Sequence, residues 1–291
     1  MNIAEFMPFT AESLGQFGDF VGGIFGTLIS AVALIVIFFT WQASRAGEKR
    51  ARIYQVFTEM MRTHENIVSS LRLGDLEGRE AIADILSEFY CAYKIVTKTT
   101  RNLNISLPID KRIDTAYTFT FFGASLVALR ALVSYGEQFV REISDQLAAE
   151  RNKNNKAAAW FRGHQNRLSH YFRNLYGAYR FIDQSTLPHQ DKVNLGRALR
   201  TKLSNYEQAL LALNSISLLG RRWETTGLLD RYTPIKNIPE HFFTFDPEFG
   251  ISDRFNFVEF EWQEYADDRP WLTSLRIGRR IVFIKISDAH A

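Results

Sequence analysis

The chain has 291 residues, of which 46% are hydrophobic, 14% aromatic and 23% charged, with a formal net charge of +3. That length holds one large domain or two ordinary ones, and the composition excludes a disordered or collagen-like chain. A single cysteine, Cys91, excludes an internal disulfide framework and a four-cysteine zinc site, and agrees with a reducing compartment.

The mean hydropathy of −0.16 conceals an uneven distribution. From Phe20 to Trp41 the chain runs 22 residues without a charge. A helix of that length spans about 30 Å, the thickness of a bilayer's hydrocarbon core. Its only hydroxyls, on Thr27, Ser30 and Thr40, can bond back to the preceding turn, and Trp41 sits where an interfacial aromatic belongs. A cleaved signal peptide fits poorly. Glu5, Glu12 and Asp19 precede the segment in place of a basic n-region, and no small-residue cleavage site comes before the charged flank. The expectation is an uncleaved anchor in a lipid bilayer. Arg45, Lys49, Arg50 and Arg52 follow the segment, so the positive-inside rule places the N-terminus outside and the C-terminal part in the cytoplasm. Gly18, Gly22 and Gly26 recur every four residues, continued by Ser30, and form a smooth face suited to self-association. Glycines are also simply common in membrane helices.

Behind the basic flank, an amphipathic run from Ile53 to Leu71 stops at Gly74, and a second helix is expected over Leu76–Leu103. A third is expected from about Asp110 to Ala149, bent at Gly123 and Gly136, followed by an exposed loop at Arg151–Lys156. A fourth spans Ala157–Gln184, and a fifth runs from about Gln190 to Leu219. Beyond Trp223, four prolines and the seven phenylalanines from Phe242 to Phe260 give an aromatic tail, with a short strand expected at Arg280–Ser287. The fold class is therefore mainly α. One N-terminal transmembrane helix continues into a cytoplasmic helical bundle with an irregular aromatic C-terminal tail. The expected division is a short extracytoplasmic N-terminus over 1–19, the span over 20–41, the helical domain over 42–222, and a Pro/Phe-rich segment over 223–291 packed on it. The common nucleotide-binding and serine-hydrolase signatures are absent, and no internal repeat is visible.

The fourth helix holds His170–Tyr176 (HYFRNLY) followed by Phe181, Ile182 and Asp183. The fifth holds Arg200, Leu203, Ser204, Tyr206, Glu207 and Asn214, and Leu228, Leu229, Tyr232 and Asn237 follow. This ordered set, with Gly78–Ala81 (GREA) upstream, resembles the AbiC-like family of phage abortive infection proteins, membrane-anchored bacterial defence proteins. Ser169 departs from the family's usual Gly before the His, and the stretch between Phe122 and Trp160 looks like an insert. The resemblance implies phage defence, with an unknown phage-derived trigger, and supplies no mechanism and no cofactor.

Read physically, His170, Arg173 and Asn174 lie three and four apart on one helix and share a face. If the next helix packs antiparallel across Pro188, Tyr206 and Glu207 meet them. Asn174, Tyr176, Asp183, Arg200, Ser204, Tyr206 and Glu207 then form a polar network. Its favoured use is structural, with Arg173 paired to Glu207 or Asp183. The competing use makes His170 a general acid–base and Arg173 a phosphate stabiliser, as in a membrane-tethered, metal-independent ribonuclease. The Arg-to-His spacing common in helical defence ribonucleases is missing. A third reading is a structural adaptor that docks another effector at the membrane.

No metal site is expected. His164 and His170 do not share a face, His64 and Glu65 lack a second ligand at i+4, and all read as ordinary polar residues. Cys91 reads as a packed thiol. Arg162, Arg167, Arg173 and Arg180, interleaved with aromatics, leave nucleic-acid binding open, although snorkelling arginines on a partly buried helix look the same.

Overall fold

A computed structural model describes residues 11–153, 160–236, 238–260, 272–277 and 280–285. It is mainly α-helical and divides into two units, Met1–Val56 and Phe57–Ala291.

The first unit holds the greater part of α1 (Ala11–Ser70). This helix is long and apolar enough to cross a membrane. Its large side chains, from Phe17 and Phe20 through Phe38, Phe39 and Trp41, are exposed. The Thr27, Ser30 and Thr40 hydroxyls donate to the carbonyls of Gly23, Gly26 and Val36, each at 2.7 Å, so the polar groups of the apolar stretch are satisfied within the helix. The Arg45 guanidinium lies 3.9 Å from the centre of the Trp41 ring.

In the second unit, the end of α1 delivers Phe57, His64 and Val68 to the interior. A two-residue ladder, β1 (Arg72–Leu73) with β2 (Leu76–Glu77), turns the chain at Gly74 and Asp75 into α2 (Gly78–Asn102). The apolar residues of α2 recur at spacings of three and four. Ala81, Ile82, Ile85, Phe89, Ala92 and Val96 are all sealed from solvent, and α2 packs against α3 (Ile109–Phe122), α5 (Glu137–Lys153) and α8 (Asn205–Ile216). Each of the larger of these side chains contributes about 1.5–3 kcal/mol on burial. Polar ties fix α3 in the same layer. Asp114 accepts the Leu218 amide and the Tyr135 hydroxyl, both at 2.7 Å, and Asn214 donates to the Tyr117 hydroxyl at 3.1 Å.

Three expected helices divide or shorten. The stretch from Asp110 to Ala149 is α3, α4 (Leu126–Leu132) and α5, because Gly123 and Gly136 take positive φ (71° and 112°) and break the helix rather than bend it. The expected loop at Arg151–Lys156 starts inside α5, and 154–156 lie outside the described residues. The fourth expected helix begins at Gln165, as α6 (Gln165–Gln184). The fifth is α7 (His189–Arg200) and α8, since Ser204 starts a new helix with its own capping box.

The C-terminal aromatics fold in short pieces: α9 (Arg222–Thr225), α10 (Leu228–Tyr232), a 3-10 turn (Glu240–Phe243) and α11 (Ile251–Arg254). Phe245 meets Phe89 and Tyr93 edge to face, and Asp246 accepts the Tyr93 hydroxyl at 2.6 Å and Arg112 at 3.0 Å. Farther on, β3 (Leu272–Ile277) pairs antiparallel with β4 (Arg280–Lys285), so the strand expected from Arg280 has a partner strand. Residues 286–287, its expected end, lie outside the described residues.

Candidate polar site on and beneath helix α6

The chain Ser204-Asn205-Tyr206-Glu207 builds the cap of α8. The Ser204 amide and hydroxyl both donate to Glu207 Oε2 at 2.8 Å, and the Glu207 amide returns a bond to Ser204 Oγ at 3.3 Å. Glu207 is fully buried. Its second oxygen faces His64 Nε2 at 3.3 Å and the Tyr171 hydroxyl at 3.5 Å, and Arg79 Nε stands 3.4 Å from Oε2. One carboxylate therefore ties α1, α2, α6 and α8 together. Burial pushes its carboxyl up, but the His64 imidazole and the Ser204 donors outweigh burial and hold it below the usual carboxylate range. Burial, followed by the neighbouring Glu207 charge, pushes Tyr171 well above the ordinary phenol range, so it stays a donor.

A second buried pair lies at the entry to α6. Glu88 and His164 are both sealed from solvent, with His164 Nε2 at 2.8 Å from Glu88 Oε2 and the Phe161 amide donating to Oε1 at 2.9 Å. Burial here dominates the imidazole and amide partners and raises the Glu88 carboxyl. Gly123 and Gly163 pass back to back beside it. A Cβ on Gly163 would stand 2.6 Å from the Phe122 carbonyl carbon, and the His164 amide donates to the Phe121 carbonyl at 2.8 Å.

The residues singled out from sequence occupy several separate environments. His170 and Arg173 are exposed and, among the described residues, have no hydrogen-bond or ion-pair partner. The expected pairing of Arg173 with Glu207 or Asp183 is not formed, nor does Tyr206 reach His170. Neighbouring residues on a helix point about 100° apart, and it is Tyr171, Leu175 and Ile182 that face the core. Asn174 donates to the Met60 carbonyl at 3.5 Å, and the Tyr176 ring meets Trp223 at 5.2 Å. Asp183 accepts the Tyr232 hydroxyl at 3.1 Å and faces Arg231 at 3.2 Å, while Arg200 donates to the Thr233 carbonyl at 3.0 Å. Tyr206 is exposed with its ring on Phe242, and only Ser204 and Glu207 of the set meet each other.

Sequence reasoning passed over His64, Arg79, Tyr171 and the Glu88–His164 pair. A signal existed for the first group. Phe57, His64, Val68 and Leu71 share one helical face, and S-x-x-E marks a capping box. Among the described residues, no group of three or more His, Cys, Asp or Glu side chains is placed to hold a metal. Cys91 is half-buried, and burial pushes its thiol up, away from nucleophilic use.

Residues 163–243 match the family described as Putative phage abortive infection protein. The matched span contains the His170–Tyr176 and Arg200–Glu207 blocks that carry the resemblance, and Gly78–Ala81 lies outside it. No curated protein and no solved structure matches the chain.

Proposed function

We propose, with that family match as the premise, that this chain is an antiphage defence protein of the abortive-infection type. It is held in the bacterial inner membrane by residues 20–41, with its N-terminus outside and its helical domain acting in the cytoplasm as sensor and effector. The match over 163–243 carries the reading. The uncovered apolar side chains of α1, with a basic flank behind Trp41 and acids before Phe20, support the anchor and its orientation. Self-association through Gly18, Gly22 and Gly26 extends the same reading, since among the described residues nothing beyond the helix's own backbone lies within 4 Å of a Cβ placed at any of them. An unidentified phage component serves as the trigger.

A membrane-tethered ribonuclease has one observation in its favour: His170 and Arg173 are neighbours on an exposed face with their polar groups free. A general acid–base also needs a second group and an orienting partner, and among the described residues His170 has neither within hydrogen-bonding reach. Sensing therefore suits this face better than cleavage. The test is plating efficiency of a broad phage panel on cells with and without the gene. Protection against at least one phage, with loss of the infected cells, is expected. No protection across the panel would undercut the defence reading.

A further inference from the structure

The outward face of α6 continues past Arg173 to a pocket of about 480 Å³ between the second half of α6 and the α9–α10 segment. Tyr176, Arg180, Asp183, Gln184, Arg222 and Leu228 line it, and all of them fall within the family-matched span. The volume is in the range of small-molecule sites.

The charges in this pocket do not cancel. Arg180 and Arg222 are exposed, and their guanidinium groups have no hydrogen-bond or ion-pair partner among the described residues. Asp183, the only acid in the lining, is already engaged by Arg231 and the Tyr232 hydroxyl. Two guanidinium groups are thus left at one concavity without a counter-charge, which concentrates a multivalent anion there. Their planar donor forks match phosphate oxygens two at a time. The Gln184 side-chain amide, also without a partner among the described residues, adds a neutral donor.

The two arginines are held on a rigid frame. Trp223, next to Arg222, is buried, and the Tyr176 and Tyr179 rings meet it at 5.2 and 5.8 Å. That aromatic cluster fixes α9 against α6 before any ligand arrives. The half-buried Tyr176 ring adds an aromatic surface suited to a planar ring, with Leu228 buried behind the pocket wall. We propose that this pocket binds a nucleotide, with its phosphates on Arg180 and Arg222 and its nucleoside against Tyr176.

The test is calorimetric titration of the purified full-length protein in mild detergent with ATP and, separately, with tripolyphosphate, which carries similar charge without a nucleoside. ATP is expected to bind, and more tightly than tripolyphosphate. In an R180Q/R222Q protein the ATP affinity falls by roughly tenfold or more for each arginine, the usual weight of a charged hydrogen bond. Its melting temperature without ligand stays at the wild-type value, because neither arginine has a partner to lose. No heat with ATP, equal affinity for the two ligands, or undiminished affinity in the double variant would each overturn the proposal. Binding is read on the isolated protein, so a negative result leaves the defence reading standing.

Discussion

On the inward side of α6, Tyr171 reaches a buried Glu207 that also meets His64, Ser204 and Arg79. On the outward side, one residue before and two after Tyr171, His170 and Arg173 stand in solvent with no side-chain partner among the described residues. Both regions are polar, and α6 contributes residues to both. The inner one spends its carboxylate on holding four helices in register, although the buried Nδ1 of His64 has no hydrogen-bond partner among the described residues. The outer one leaves its groups free and continues to the unpaired Arg180. Polarity by itself does not mark a site.

The comparison breaks most sharply at Glu207. Replacing it with Ala leaves His64 and Tyr171 facing an empty buried space, removes the N3 half of the α8 cap, and should cost about 3–5 kcal/mol in chemical denaturation. Its pH dependence follows from the lowered carboxyl. The folded pKa lies below the ordinary 4.5, so the stabilisation is complete above 4.5 and is lost as pH falls through the folded value. Glu88 has the opposite sign. Its folded pKa is raised, so its contribution is greatest below 4.5 and declines as pH rises through the folded value. Denaturation series in acid should therefore lose their Glu207 limb in Glu207→Gln. Near neutral pH, Glu88→Gln should be the milder of the two changes.

The next effect in size is at the turn before α6. Gly163→Ala puts a Cβ 2.6 Å from the Phe122 backbone at a φ of +88°, and the strained backbone alone costs on the order of 1–3 kcal/mol. A fall in melting temperature with a wild-type far-ultraviolet circular dichroism spectrum would show it. The smallest effect belongs to the outer face. Arg173→Ala and His170→Ala should each shift stability by no more than about 0.5 kcal/mol, since no contact is removed. A multi-kilocalorie loss in either would mean that the outer face is also scaffold.

The same contrast shows what the sequence could reveal. The apolar run in α1 and the three-and-four spacing in α2 are local patterns, and both were legible from Phe20–Trp41 and from Ala81–Val96. The division of the fifth helix was equally available, because Ser204 and Glu207 spell a capping box. What stayed hidden depends on long-range pairing. Arg79 and Glu207 are 128 residues apart, and Glu88 and His164 are 76 apart. Knowing that His170 and Arg173 share a face did not say whether that face looked in or out. A one-residue rotation put Tyr171 in the core and both of them in solvent.

The central claim is that the exposed face of α6 is free for function while the buried cluster beneath it only holds the fold. Plating efficiency of a restricted phage on cells carrying the H170A/R173A double variant, read beside its immunoblot, tests this most directly. The account predicts wild-type protein abundance with protection lost. Full protection at wild-type abundance would contradict it.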